Sequence, residues 1–128
     1  MESETRPTVD LGDWSADNWG TIDDCVMRGL AWLIADGESF GLNIDNIDPG
    51  RLAIRHTERC VLAQAGGRTY QTVVERITGR APYSGVANAW TEAHGFCLPM
   101  FSDEETWERL TDAWRTALAE HRAQATDA

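Results

Sequence analysis

Two histidine–cysteine pairs carry the metal-ligand and nucleophile chemistry in this sequence. His56 and Cys60 are four residues apart, and His94 and Cys97 are three apart, so each pair fits one face of a helical turn. Together they contain the ligand types of a Cys2His2 zinc site. Their spacing is not the usual C-x2-C type, and a structural histidine beside a buried thiol explains each pair more simply. We therefore expect no metal ion and no cofactor.

A cysteine nucleophile is the second chemistry that these pairs allow. It requires a thiolate, a base and a group that orients the base. Cys60 lies in an apolar run, which raises a thiol pKa, and neither Cys60 nor Cys97 has a recognised local signature. Cys25 makes the cysteine count odd, and we expect three reduced thiols, with Cys25 and Cys60 buried. A non-enzymatic protein is favoured, and a Cys/His or zinc-dependent enzyme is the alternative.

The segment 10–19 alternates acidic and aromatic residues. Its candidate partner-binding residues are Asp10, Asp13, Trp14, Asp17 and Trp19. One interpretation is that both tryptophans fold back over the first helix. The other is a docking surface, because exposed tryptophan often anchors interfaces and surrounding carboxylates select a basic partner.

The charge balance restricts the classes of partner. Twenty-one acidic residues and eleven basic residues, all arginine, give a net charge of −10. This balance argues against direct nucleic-acid binding and against an anionic membrane surface. It permits a basic protein partner, or a surface that imitates DNA. No apolar run is long enough to cross a bilayer and residues 1–9 are polar, so we expect a cytoplasmic protein without a signal peptide.

Hydrophobic periodicity predicts a mainly α-helical fold of about five helices. The first begins at Thr21 and stops at Gly37. Two short helices, over 58–65 and 69–78, flank the Gly66–Gly67 turn, which we prefer to a phosphate-binding loop. A fourth follows Ser84, and the last begins at a Ser102–Glu105 capping box and ends near His121. Apolar residues on these helices predict a core of Ile22, Val26, Leu30, Leu33, Val61, Leu62, Val73, Val74, Ile77, Trp90, Phe96, Leu110, Trp114 and Leu118.

The stretch 42–56 is the exception to this helical pattern. Its apolar residues alternate with polar ones, and Asp48–Arg51 is a turn sequence. We expect a short extended or two-stranded β segment there. The predicted organisation is a disordered tail over 1–9, one compact domain over 10–121 and a frayed tail over 122–128.

Four short blocks resemble small proteins of actinobacteriophages and their actinobacterial hosts. They are Ile47–Leu52, Arg59–Gly67 with its Arg-Cys-Val-Leu core, Ala93–Phe96, and Leu110–Arg115 with a Leu-Thr-x-x-Trp-Arg pattern. The resemblance covers roughly residues 20–118, and Cys97 is not part of its pattern. It implies a phage-type accessory protein that binds a host protein, and it implies no activity. A DNA-mimic inhibitor of a nucleic-acid-binding or defence protein is the alternative. A half-buried Gln64 in the second block would need backbone partners.

Overall fold

The computed structural model describes residues 8–15, 17–99 and 102–127, with the backbone alone at 126 and 127. Five α-helices form one compact arrangement, as predicted: α1 (Ile22–Asp36), α2 (Val61–Gly66), α3 (Tyr70–Thr78), α4 (Gly85–Ala93) and α5 (Glu104–Asp127). Three short 3-10 turns lie between α1 and α2, at Gly37–Phe40, Ile44–Asn46 and Pro49–Arg51. None of the described helices is long and apolar enough to cross a membrane.

The first helix starts where the sequence predicts. The Thr21 hydroxyl accepts the backbone N–H of Asp24, and the Asp24 carboxylate accepts the N–H of Thr21, a reciprocal capping box. At the other end, Gly37 does not stop the chain but begins a 3-10 turn. Gly41, with φ of 78°, is the residue that ends it in the left-handed region.

The predicted core is confirmed with one adjustment. All of its members are buried except Ile22, which is half-buried. Ile34, placed by the sequence on the same stripe of α1, is 54% exposed. The core also includes apolar residues from the non-helical stretch, namely Phe40, Leu42, Ile47, Leu52 and Ile54.

The stretch 42–56 contains no β-strand, contrary to the two-stranded option. Asn43 and Asp48 have extended backbones, but each caps a following 3-10 turn with its side chain. Arginines of α5 take the carbonyl groups that a neighbouring strand would have paired. Arg115 donates to the oxygens of Pro49 and Leu52, at 3.0 and 3.1 Å.

Arg122 completes this arrangement by donating to the Ile47 oxygen at 2.6 Å and to the Ile44 oxygen at 3.3 Å. A guanidinium presents several N–H donors in a fixed plane, so one side chain bonds two carbonyls. The apolar alternation in this stretch therefore arises from turns packed on a long helix.

Both ends of α5 differ from the sequence expectation. Its cap is Asp103 and not Ser102, since the Asp103 carboxylate accepts the backbone N–H of Thr106 at 2.9 Å and its hydroxyl at 2.6 Å. The helix continues to Asp127, past the expected end near His121. Of the predicted N-terminal tail, residues 1–7 lie outside the described residues, whereas Val9 packs on the core and donates its N–H to Ile77.

Candidate functional site

The segment that precedes α1 is a loop with its own hydrogen bonds. Ser15 donates its N–H to the Asn18 side-chain oxygen at 2.9 Å, and Asn18 Nδ2 donates to the Asp13 carbonyl at 2.9 Å. Asp10 accepts the N–H of Gly12 at 3.1 Å. These short-range bonds fix the direction of the loop before any partner is present.

Trp14 packs against α1, as the first interpretation of this segment predicts. The guanidinium carbon of Arg28 lies 4.5 Å from the centroid of the Trp14 ring, in cation–π geometry. The ring also meets His94 edge-on at 5.8 Å. Trp14 stays half-buried, so part of its surface faces solvent.

Arg28 also binds the backbone at both neighbouring segments. One of its nitrogens donates to the Trp19 carbonyl at 3.0 Å and to the Ala93 carbonyl. The Cys25 thiol contacts the same Trp19 carbonyl, at 3.5 Å. Trp19 is thus tied to α1 through its backbone and is half-buried. The positive charge of Arg28 is directed into the fold.

The carboxylates of this loop remain on the surface. Asp10, Asp13 and Asp17 are exposed, and within the described residues none of them forms a salt bridge. We call these three carboxylates, with Trp14 and Trp19, the acidic N-terminal surface. The structure therefore places all five sequence-predicted residues in one short, ordered loop.

The first histidine–cysteine pair is split between surface and core. His56 is exposed, and its Nδ1 accepts the N–H of Glu58 at 3.1 Å. Cys60 is buried, and desolvation raises the pKa of its thiol to about 11. A thiol with so high a pKa is protonated at neutral pH and is a poor nucleophile.

The second pair has a structural histidine and a half-buried cysteine. His94 Nδ1 donates to the Trp90 carbonyl at 2.8 Å, and the two rings stack at 4.2 Å. Burial lowers the pKa of His94 to about 4, with Arg28 adding to the shift, and burial raises the pKa of Cys97. In the part of the chain that the structure describes, no three His, Cys, Asp or Glu residues are grouped as a metal site requires.

The Gly66–Gly67 step is a turn between helices, as predicted. Gly67 ends α2 with φ of 68°, and the Thr69 hydroxyl caps α3 by accepting the N–H of Thr72. Tyr70 donates its N–H to the Thr57 carbonyl at 2.8 Å, which fixes the start of α3. The first turn of α3 is therefore bonded within the protein.

Polar residues of the four motif blocks hydrogen-bond the blocks to one another. Gln64 bonds the backbone of Asp48, Trp114 donates to the Gly95 carbonyl at 2.6 Å, and Arg115 donates to Pro49 and Leu52. Sequence reasoning missed the role of Arg115, because its partners lie more than sixty residues away in the chain. These motif side chains form a structural framework, which leaves the acidic N-terminal surface as a free polar feature. No family model, curated protein or solved structure matches this chain.

Proposed function

We propose that this protein is a non-enzymatic accessory protein that binds a basic surface of another protein through its acidic N-terminal surface. The observation that supports this is the exposure of Asp10, Asp13 and Asp17 on a hydrogen-bonded loop, with no salt bridge to any described residue. A loop that is already ordered loses little conformational entropy on binding.

The distribution of charge along the chain supports the same surface. Residues 8–50 contain nine acidic residues and one basic residue, Arg28, whereas residues 51–99 contain three acidic residues and six arginines. Since Arg28 bonds inward, the N-terminal half presents a negative field to approaching partners. Such a field accelerates association with positively charged proteins and repels nucleic acid.

The resemblance to actinobacteriophage proteins supports a host protein as the partner, in the host cytoplasm. Small phage proteins need no catalysis to redirect host machinery, and tight binding suffices. The DNA-mimic alternative also needs a negative surface, but its partner must be a nucleic-acid-binding protein. Competition by duplex DNA for the captured partner separates the two proposals.

The experiment is affinity capture from an actinobacterial lysate with two matched variants. Asp10→Asn, Asp13→Asn and Asp17→Asn together neutralise the surface, and asparagine preserves the side-chain oxygen that Gly12 uses. The control, Glu105→Gln with Glu108→Gln and Glu120→Gln, removes equal charge from exposed positions of α5. We expect a protein retained by the native chain and the control but lost by the loop variant. Equal retention by all three forms would place the interface elsewhere.

A further inference from the structure

A cavity of about 340 Å³ lies where α3, α4, α5 and the 54–57 turn meet. Its volume falls in the lower part of the range typical of small-molecule sites. The wall is largely apolar and aromatic, with Tyr70, Tyr83, Phe96, Leu98 and Trp107 among its residues, and with Cys97 as a sulfur group. It is separate from the acidic N-terminal surface, with which it shares no residue.

Two buried hydrogen-bond donors in this wall lack partners. The hydroxyl of Tyr70, a residue only 4% exposed, and the indole Nε1–H of Trp107 make no hydrogen bond to any described residue. The Tyr70 hydroxyl lies near the Thr91 hydroxyl and the Cys97 thiol, but not in hydrogen-bonding geometry with either. A buried donor without a partner is costly, so two of them on one cavity require an explanation.

The protonation states of the wall define what would satisfy these donors. An indole N–H only donates, and burial raises the pKa of Tyr70 well above its ordinary value, so its hydroxyl keeps its proton. Burial also raises the pKa of Cys97, which stays a neutral thiol. The lining residues include no carboxylate, whereas they include Arg55, which lies 5.8 Å from the Trp107 ring centroid. The cavity therefore suits hydrogen-bond acceptors and disfavours cations.

We infer that this cavity is a binding site for a small aromatic molecule that carries acceptor oxygens, such as a carboxylate or a carbonyl group. The ring would pack among Tyr70, Phe96 and Trp107, and its oxygens would accept from Tyr70 Oη and Trp107 Nε1. Arg55, whose only described salt bridge is an exposed contact with Glu104 at 3.7 Å, is placed to attract an anionic ligand. Aromatic walls with a few convergent polar groups are typical of small-molecule sites.

The test is a titration with benzoate, followed through the tryptophan indole signals in ¹⁵N-correlated NMR spectra. We expect a saturable shift of the Trp107 signal and little change at Trp14. Toluene, which matches benzoate in shape but has no acceptor, should bind at least tenfold more weakly, and benzylamine should not bind. Unchanged indole signals at millimolar benzoate, or equal binding of toluene, would overturn the assignment.

Two variants separate ligand binding from a structural role for the donors. Tyr70→Phe and Trp107→Phe should each weaken benzoate binding about two- to tenfold, the range for one hydrogen bond. Because the Tyr70 hydroxyl has no protein partner to lose, Tyr70→Phe should leave the melting temperature unchanged or raise it. A lower melting temperature with unchanged benzoate affinity would show instead that the hydroxyl bonds within the protein.

Discussion

The side chain of Gln64 joins α2 to the turn at Asp48. Its Oε1 accepts the backbone N–H of Asp48 at 2.7 Å, while its Nε2 donates to the Arg59 carbonyl at 2.9 Å. One amide thus satisfies a donor and an acceptor from two different segments. This explains why a polar residue interrupts an otherwise apolar block, and it confirms the expectation that Gln64 would need backbone partners.

Replacing Gln64 with alanine should lower the free energy of unfolding by about 1–3 kcal/mol, because both backbone groups lose their partner in a partly buried setting. Urea unfolding measures this difference. Gln71→Ala is the matched control, since Gln71 bonds only the exposed Tyr83 hydroxyl, at 3.3 Å. A loss at Gln71 as large as that at Gln64 would contradict the framework role of Gln64.

Trp114 should be the most costly tryptophan of α5 to truncate. It is fully buried, stacks on Phe96 at 5.7 Å and donates to the Gly95 carbonyl. Trp114→Ala should cost about 3–5 kcal/mol of stability. Glu108→Ala, on the exposed face of the same helix, should change stability by less than about 0.5 kcal/mol. Calorimetry or denaturant unfolding compares them, and similar losses would mean that the helix face is misassigned.

Gly29 in α1 is required by the close approach of another backbone. A Cβ at this position would overlap the carbonyl oxygen of His94 and would lie 3.0 Å from the Trp114 ring. Gly29→Ala should therefore destabilise the protein by about 1–3 kcal/mol, the cost of overpacking, although alanine favours helix formation by about 1 kcal/mol.

Gly85, at the start of α4, is the control for this substitution. Nothing lies within 4 Å of a Cβ placed there, and its φ is not positive. Gly85→Ala should be neutral or should stabilise by about 0.4–1 kcal/mol through the unfolded state. Thermal unfolding of both variants tests the pair, and a neutral Gly29→Ala would contradict the α1–His94 contact.

Stability should fall as the pH drops from about 6.5 towards 4, because of His94. Desolvation lowers its folded pKa from 6.5 to about 4, so in this window the unfolded chain binds a proton that the folded chain does not. The loss is at most about 3 kcal/mol. Burial raises the pKa of Glu92, which opposes this trend near the acid end. His94→Gln should flatten the pH dependence of the unfolding midpoint, and an unchanged slope would show that another group causes it.

Local rules predicted the helices well where one sequence signal dominated. The Thr21 cap and the apolar spacing of α3 and α5 needed no tertiary information. The stretch 42–56 failed because apolar alternation indicates one buried face and not the identity of the hydrogen-bond partner. The partners are Arg115 and Arg122 from the far end of the chain, which no local pattern reveals. The Asp103 cap was missed because serine and aspartate are about equally good N-caps.

The aromatic cavity was beyond sequence reasoning for a related cause. Tyr70 and Trp107 each fit the apolar stripe of their own helix, so both read as core residues. That both lack a hydrogen-bond partner on one shared cavity depends on how α3 packs against the start of α5. By contrast, the acidic N-terminal surface was predictable, because all five of its residues lie within ten positions of each other.

The most direct test of the central proposal is the salt dependence of association between this protein and its captured partner. Stopped-flow or surface-based kinetics should show an association rate that falls as salt rises, because opposite charges steer the encounter. Neutralising Asp10, Asp13 and Asp17 together should slow association and flatten that dependence, whereas the α5 control should preserve most of it. Trp14→Ala should act mainly by speeding dissociation. If these changes leave both rates unaltered, the acidic N-terminal surface is not the interface.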